Sequence, residues 1–408
     1  MSTPNLNLNA DRYAYSKFSK QEYERRYSMV KQMMERNGLD CLLIAGSHAV
    51  WDRGFTNIRY LANHMGTMEM NTYLVLPLNG EPTLYMLYLN RDLPDRVSRS
   101  IINDVRTYTR GESVPALIAK RIRELKLENK RIGLVAFDEF NLIPSDHLQS
   151  FKKLLPKAEF EFVTDKFYEV RILKSREEIE WMEKSALLGD LGIETLAKKA
   201  RDGVTEMELF GEMCKALYSE GAEYPSMLLM GSTSMNDPDC YMPRNRPLPR
   251  KIGRGWTILS EIGPRWNEAE AQTGKPITLG EPTEEYKEIF EIGFQYEKKL
   301  ASEFRAGRTS QEIIQSLEPL KEINNGWHVR VACHGVHGGV PFDGALFSNA
   351  SVVKKIPLTL KENMVWCPEI FVHNDSGTRG WATFVDTYVV TDGAPRRLNK
   401  LPMSLITV

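Results

Sequence analysis

The sequence predicts a protein of mixed α+β class with two domains, a smaller α/β domain over residues 1–170 and a larger α+β domain over residues 171–408. The 408 residues of the chain suggest two domains at roughly 150 residues per domain. Short helical and strand-like segments alternate in the first part of the chain, as in an α/β domain. In the second part, helices and strands stand in separate blocks, which indicates helices packed on one side of a mostly antiparallel sheet.

The order of segments in the first domain supports the α/β prediction. A helix is predicted over 19–37, where apolar residues recur at helical spacing and Gly38 supplies the left-handed residue that commonly ends a helix. A short apolar run predicts a strand over 40–46. The other predicted elements are strands at 72–77, 82–88, 131–138 and 159–165 and helices at 114–128 and 144–155.

Capping boxes mark the helices of the second domain. Ser175 and Glu178 have the spacing at which each side chain bonds a backbone N–H that is otherwise free at a helix start. The same pattern recurs in the pairs Thr205/Glu208 and Thr309/Glu312. The predicted helices are 176–201, 205–220, 283–304 and 309–323, and the predicted strands are 225–231, 256–263, 327–334, 364–372 and 381–391.

The charge balance of the chain excludes two classes of partner. The chain has 53 Lys+Arg and 54 Asp+Glu, a formal charge of −1, and no basic patch that would attract phosphate backbones or anionic lipid. We therefore expect a small-molecule substrate and neither nucleic acid nor a membrane as a partner. No signal-peptide pattern begins the sequence, which predicts a cytoplasmic protein. The five cysteines are scattered, which suits reduced thiols.

Two carboxylates lie in unusual positions on strands. Alternation places Glu261 on the same strand face as Thr257 and Leu259, and Glu369 on the same face as Cys367. A carboxylate on a largely apolar face costs several kcal/mol unless it is paired, hydrogen-bonded or protonated, and such strain is commoner at functional sites. The alternative is a buried carboxylate that anchors a neighbouring loop, and for each residue both interpretations stay open.

The histidines divide into two groups. His334 and His337 lie in a glycine-rich stretch where the backbone or a ligand can approach closely, which favours function for the pair, although a structural role is the commoner one for a single histidine. His64 stands in a loop sequence that is able to reach an active site, and the remaining histidines are interpreted as structural or surface residues. Cys333 adjoins His334, but neighbouring strand residues point to opposite faces, so we do not expect a Cys–His mechanism.

Three segments, 259–263, 333–341 and 363–369, resemble in order and spacing the pita-bread fold family that includes methionine aminopeptidase, proline dipeptidase, aminopeptidase P and creatinase. Further similar segments are 18–26, 57–61, 171–179, 280–285 and 386–393. The resemblance covers nearly the whole chain. It implies a pita-bread catalytic domain over 171–408 and a creatinase-type N-terminal domain over 1–170.

The resemblance also locates the metal positions of the family's peptidases, which hold two divalent metals with two aspartates, one histidine and two glutamates. The corresponding residues are Glu261, Gln272, His334, Glu369 and Val385. Gln272 offers only a neutral carbonyl and Val385 offers no ligand, so two carboxylates that would offset the charge of two dications are missing. We therefore do not expect a dinuclear metallopeptidase.

Creatinase and ectoine hydrolase are metal-independent members of this family, and this sequence is similar to that group. Ectoine hydrolase resembles it in having a glutamate at the position of Glu261. Arg244 aligns with the catalytic histidine of creatinase and Gln272 with a creatinase glutamate, so the creatinase reaction itself is not expected. Arg244 lies among prolines in 242–250, in a stiff loop that presents guanidinium groups to a carboxylate or only connects two elements.

The resulting hypothesis is a metal-independent hydrolase that cleaves a C–N bond in a small nitrogenous, carboxylate-bearing compound, without peptidase activity. Glu261 attacks or activates water, His334 transfers protons and Glu369 holds the substrate nitrogen. The residues assigned to substrate binding are Arg244, Gln272, His337 and His64.

Two alternatives remain. One is a mononuclear metal site of Glu261, His334 and Glu369, since three protein ligands plus water form a familiar catalytic arrangement. The other is a catalytically inactive binding module, although the charged tails that such members of the fold usually carry are not seen here. The resemblance also implies a homodimer.

Overall fold

The computed structural model describes residues 16–48, 54–66, 71–88, 98–136, 143–239, 242–335, 347–348, 358–374 and 382–408. The chain divides into two compact units, Met1–Arg171 and Ile172–Val408. None of the helices in these ranges is long and apolar enough to cross a bilayer.

The first unit contains six strands and five helices within the described residues. The strands are β1 (Cys41–Gly46), β2 (Thr72–Pro77), β3 (Thr83–Leu87), β4 (Asp104–Tyr108), β5 (Arg131–Val135) and β6 (Glu159–Phe162). The helices are α1 (Lys20–Arg36), α2 (Thr56–Ala62), α3 (Val114–Glu124), α4 (Ser145–Leu154) and α5 (Thr164–Arg171).

A mixed six-stranded sheet organises this unit, in the order β4-β3-β2-β1-β5-β6. Central β1 pairs antiparallel with β2 and parallel with β5. All six β1 residues are buried, as the apolar run 41–46 requires of a strand covered on both faces. Gly38 has a positive φ of 62°, which fits the predicted end of α1.

The second unit contains the remaining elements. Its helices are α6 (Arg176–Lys199), α7 (Glu206–Ser219), α8 (Glu284–Ser302), α9 (Ser310–Ser316) and a 3-10 helix (Glu318–Ile323). Its strands are β7 (Glu223–Ser234), β8 (Trp256–Trp266), β9 (Ala269–Glu270), β10 (Ile277–Leu279), β11 (His328–Gly335), β12 (Phe347–Ser348), β13 (Val365–His373), β14 (Ala382–Val385), β15 (Tyr388–Val389), β16 (Arg396–Arg397) and β17 (Ile406–Thr407).

Capping explains where the long helices of the second unit begin. The Ser175 hydroxyl accepts from the Glu178 N–H at 3.0 Å, and the Glu178 carboxylate accepts from the Ser175 N–H at 2.8 Å. Complete capping boxes also start α7 and α9. All three pairs therefore act as the sequence predicts.

Two sheets, rather than the single one expected, form the framework of the second unit. One has the order β17-β10-β8-β7 with β9 beside β8, and the other has the order β12-β11-β13-β15-β16 with β14 beside β13. Their strand pairs are antiparallel except β10 with β17. Ile258 and Ile262 of β8 pack with apolar residues of α6 and α7 such as Leu196 and Leu209. The mixed α+β class of the prediction is confirmed.

Candidate active site

Strand β8 carries Glu261 on the sheet face that turns away from α6 and α7. Ile258 and Ile262 fill the core beneath those helices, so the odd-numbered residues between them point to the opposite face. Glu261 lies opposite Leu229 of β7 in the antiparallel register and is only 7% exposed. A carboxylate is thus held among apolar strand residues, as the alternation of the sequence predicts.

Strands β11 and β13 bring a histidine and a second carboxylate into contact. His334 lies opposite Cys367, and Glu369 follows two residues later on the same face of β13. The His334 Nε2 atom is 2.8 Å from the Glu369 Oε1 atom. Both side chains are mostly buried, with 14% of each exposed, so this contact is shielded from bulk water.

The protonation of this pair follows from its hydrogen bonds. The His334 Nδ1 atom is 3.0 Å from the Gly335 carbonyl oxygen, and since a carbonyl only accepts, Nδ1 carries a proton. The Nε2–Glu369 hydrogen bond then needs one further proton, which resides either on His334 as an imidazolium or on Glu369 as a carboxylic acid. The two side chains therefore share one transferable proton.

Gln272 follows β9, and its side chain lies over Gly263, on the face of β8 that carries Glu261. A Cβ atom on Gly263 would lie 3.2 Å from both Gln272 Cγ and Glu270 Oε1 and 3.1 Å from Met227 Cε, so a larger residue would force these side chains to shift. The Gln272 Nε2 group donates to Glu270 Oε1 at 3.1 Å. Its Oε1 atom accepts from the Cys367 thiol at 3.5 Å. One amide thus connects Glu270 of β9, the short strand that pairs with β8, to Cys367 of β13, the strand that bears Glu369.

Cys367 joins the cluster as a neutral thiol. Burial raises its pKa well above the usual value, and the negative charges of Glu369 and Glu261 raise it further. Cys333 faces the opposite side of β11, and burial raises its pKa as well. Neither thiol has the lowered pKa that a cysteine nucleophile needs.

The donor set does not fit two metal ions. Val385 of β14 is fully buried opposite Glu369, and Gly274 pairs with it through the backbone. An apolar side chain therefore lies where the family resemblance requires a carboxylate, and Gln272 adds only a neutral oxygen. Within the described ranges, a partial ligand group remains in His334, Cys367 and Glu369, whose ligand atoms all lie within 4.8 Å of one another.

Arg244 is not brought to this face. Its backbone pairs with Met230, whose side chain points into the core beneath α6 and α7. Its guanidinium Nη1 atom is 3.5 Å from the Glu206 carboxylate at the start of α7. This placement argues against the expected contact between Arg244 and a substrate carboxylate beside Glu261.

His64 and His337 are the two remaining residues assigned to substrate binding. His64 is fully buried in the first unit, one residue after Asn63, which ends α2 with a left-handed φ of 48°. His337 lies outside the described residues. Their contribution to the site stays a prediction.

Sequence reasoning missed two members of the site, Cys367 and Glu270. Alternation places Cys367 two positions before Glu369 on the same strand face, but the sequence interpretation treats it only as an apolar neighbour of that carboxylate. Glu270 precedes Gln272 by two residues, but the turn after β8 that folds both side chains over Gly263 has no clear sequence signal.

Comparison with known families identifies the chain. The Creatinase/Prolidase N-terminal domain model matches residues 26–173, and the model of metallopeptidase family M24 matches residues 180–392. The chain belongs to metallopeptidase family M24. The expected relation to the prolidase, aminopeptidase P and creatinase family is therefore confirmed, together with its two-domain architecture of a creatinase-type N-terminal domain and a pita-bread domain.

Individual M24 relatives are distant in sequence but cover most of the chain. A Xaa-Pro dipeptidase of Pyrococcus furiosus is 23% identical over 94% of this chain and 99% of its own length. A creatinase of a Bacillus species is 22% identical over 74% of this chain and 71% of its own length. The crystal structure of an X-Pro aminopeptidase from Thermotoga maritima superposes with a TM-score of 0.78 at 18% identity, covering 94% of this chain and 99% of the other. M24 proteins are hydrolases that usually bind divalent metal.

Proposed function

We propose that the protein is a metal-independent hydrolase that cleaves a C–N bond in a small nitrogenous compound. The observation that carries the proposal is the His334–Glu369 pair, which shares one proton. The buried carboxylate of Glu261 on β8 supplies a second acid–base group. Acid–base groups thus stand where the family's peptidases have metal ligands, while Gln272 and Val385 remove two of the five ligands.

The proposed reaction uses the three groups in sequence. Glu261 either removes a proton from the attacking water or attacks the electrophilic carbon itself. The carbon–nitrogen bond then breaks, and the departing nitrogen takes the proton shared by His334 and Glu369. Burial strengthens each of these interactions because bulk water does not screen them.

Gln272 contributes by orientation rather than by charge. Its amide is held at both ends, by Glu270 and by the Cys367 thiol, so it does not rotate freely. A fixed neutral amide between carboxylates is suited to position a polar substrate without adding to their repulsion. The expectation of a carboxylate on the substrate depended on Arg244. Because Arg244 contacts Glu206 instead, the proposed substrate is not required to carry a carboxylate.

A second candidate is a mononuclear metal hydrolase of Xaa-Pro peptidase type. The close approach of the His334, Cys367 and Glu369 ligand atoms favours it, as do the Xaa-Pro dipeptidases among the relatives. In this case the protein would hydrolyse Xaa-Pro dipeptides only when a metal is bound. Creatinase among the relatives favours the first candidate.

The variant Glu261→Gln tests the proposal, because glutamine keeps the shape of the side chain and removes its basicity. With metal-free protein and a panel of small amides, amidines and Xaa-Pro dipeptides, we expect turnover of a small amide or amidine to fall at least about 1,000-fold. Glu212→Gln is the matched control, since Glu212 is an exposed carboxylate paired with Lys199. Full activity of Glu261→Gln removes this residue from the mechanism.

The same panel separates an enzyme from a binding module. Tight binding of a peptide or nucleic acid without turnover of any compound would support the binding module.

A homodimer and a cytoplasmic location also stay predictions; sedimentation velocity tests the dimer, whose expected mass is twice the chain mass of 46.7 kDa.

A further inference from the structure

A sulfur, a nitrogen and an oxygen donor converge in the candidate active site. The Cys367 Sγ atom, a ring nitrogen of His334 and a carboxylate oxygen of Glu369 lie within 4.8 Å of one another. The side-chain oxygen of Gln272, 3.5 Å from the Cys367 sulfur, is a fourth potential ligand. The five-residue metal set of the family's peptidases contains no cysteine, so this donor combination departs from that set.

The backbone fixes the arrangement. His334 and Cys367 are cross-strand partners on β11 and β13, and Glu369 follows Cys367 by two residues on the same face. These donors therefore stand on paired strands rather than on loops, and a cation would require only small side-chain movements to be enclosed.

The histidine already has the hydrogen bond of a metal ligand. Its Nδ1–H donates to the Gly335 carbonyl oxygen, which leaves Nε2 directed at the other donors. Histidines that bind metals through one nitrogen characteristically donate the other N–H to a backbone carbonyl or a carboxylate. This contact supports a ligand role independently of the proximity of the three donors.

Donor chemistry selects the class of cation. Thiolate and imidazole ligands suit Zn²⁺ and similar borderline-soft ions, whereas Mg²⁺, Ca²⁺ and Mn²⁺ prefer sites made of oxygen. Three protein ligands, with Gln272 or water as the fourth, match the tetrahedral preference of Zn²⁺.

We propose that Cys367, His334 and Glu369 form a binding site for one thiophilic divalent cation of the Zn²⁺ type, and that binding there inhibits the enzyme. Binding converts the thiol to a thiolate and displaces the proton shared by His334 and Glu369, so two protons pass to the buffer and no oxidation occurs. The inhibition rests on the proposed function, because the ion occupies the groups that protonate the departing nitrogen. The binding itself does not rest on it.

Cobalt titration of the metal-free protein tests the binding. Co²⁺ reports a sulfur ligand through a thiolate-to-metal charge-transfer band in the near ultraviolet, and a competing chelator gives the Zn²⁺ affinity. We expect one ion per chain and a charge-transfer band in the wild type. In Cys367→Ala the band should be absent and the Zn²⁺ affinity should fall by more than the roughly 10–100-fold typical of outer-shell changes.

Cys333→Ala is the matched control. Cys333 is equally buried on the neighbouring strand but faces away from His334, so this variant should keep the band and the affinity of the wild type. An absent band in the wild type, or an unchanged Zn²⁺ affinity in Cys367→Ala, overturns the site.

An activity assay separates the claim that the cation inhibits the enzyme from the claim that the cation binds. If chelator-treated protein turns over a small amide, added Zn²⁺ should abolish turnover in the wild type at one equivalent and require much higher concentrations in Cys367→Ala. Activation by Zn²⁺ overturns the inhibitory role. Absence of turnover in chelator-treated protein counts against the proposed function but leaves the spectroscopic result on the site intact.

Discussion

At the scale of single residues, the candidate site depends on which side chains carry charge. Gln272 and Val385 replace two ligands that the family's peptidases require, and each replacement is held firmly, one by hydrogen bonds and one in a buried strand pair. In contrast, Glu261 and Glu369 keep their carboxylates. Under the proposed function the remaining chemistry is proton transfer through His334, which contacts the Gly335 carbonyl and Glu369.

Alternation along a strand predicted the faces of Glu261, Cys367 and Glu369, because side chains on a strand alternate with a period of two. The expectation for Arg244 rests instead on the family resemblance and on its proline-rich loop. Its segment joins the sheet through a single backbone bridge to Met230, and nothing in the local sequence reveals which face such a bridge selects. Sequence alone gives the direction of a side chain in a regular strand but not in an irregular connection.

A buried carboxylate outside the site provides a pH prediction. Burial raises the pKa of Glu297 on α8 from its ordinary value of 4.5 to about 7. The Tyr388 hydroxyl donates a hydrogen bond to this carboxylate and lowers its pKa, whereas the charge of Asp386 raises it. Between these two pH values the folded state binds more protons than the unfolded state, so the free energy of unfolding falls as pH rises from about 4.5 to about 7. The full effect is about 3 kcal/mol.

Glu297→Gln removes this titration and keeps an acceptor for the Tyr388 hydroxyl. We therefore expect the variant to gain stability relative to the wild type as pH rises, with little difference at pH 4.5 and about 3 kcal/mol at pH 8. Urea unfolding at several pH values measures the difference in unfolding free energy between the variant and the wild type. The other titrating groups are the same in both proteins, so their contributions cancel in this difference. A constant difference across this pH range contradicts the raised pKa.

At the scale of elements, predictions held where a local signal is strong. The capping boxes placed the starts of α6, α7 and α9 because their hydrogen bonds join residues only three apart. The helix predicted over 309–323 instead ends at Ser316 and resumes as a 3-10 helix, since Pro319 has no N–H to donate to the Gln315 carbonyl.

Three elements of the first unit were not predicted, namely α2, β4 and α5. Helix α2 has only seven residues, and no side chain caps the N–H groups at its start. Helix α5 begins at Thr164, inside the segment predicted as a strand over 159–165, because the strand pairing of β6 ends at Phe162. Short elements like these are stabilised by packing against the sheet, which local sequence patterns do not report.

The capping box of α6 gives a prediction at this scale. Ser175→Ala removes the acceptor for the Glu178 N–H, and the unfolding free energy should fall by about 1 kcal/mol. Ser219→Ala, at the exposed last residue of α7, is the matched control and should change stability by less than about 0.5 kcal/mol. Chemical denaturation compares the two variants. Equal losses of unfolding free energy in Ser175→Ala and Ser219→Ala would contradict a stabilising role of the Ser175 cap.

At the scale of the whole molecule, the M24 fold is kept, and the proposed function differs from that of the family's peptidases in the chemistry of the site. The face of β8 that turns away from α6 and α7 carries Glu261, and the paired strands β11 and β13 carry His334 and Glu369. By the family resemblance, these three residues stand at metal positions of the peptidases. Fold therefore predicts where the site lies, and the identity of a few side chains on it decides the reaction. The substitutions at Gln272 and Val385 are the reason to expect a metal-independent member.

The most direct test of this account is turnover by chelator-treated protein, with its metal content measured by plasma mass spectrometry. The protein should be purified without a metal-affinity step and assayed against small amides, amidines and Xaa-Pro dipeptides. We predict turnover of a small amide or amidine by protein that contains almost no metal, with no gain when Zn²⁺ or Mn²⁺ is added. Activity that is lost with the metal and restored by about one ion per chain would contradict the proposed mechanism.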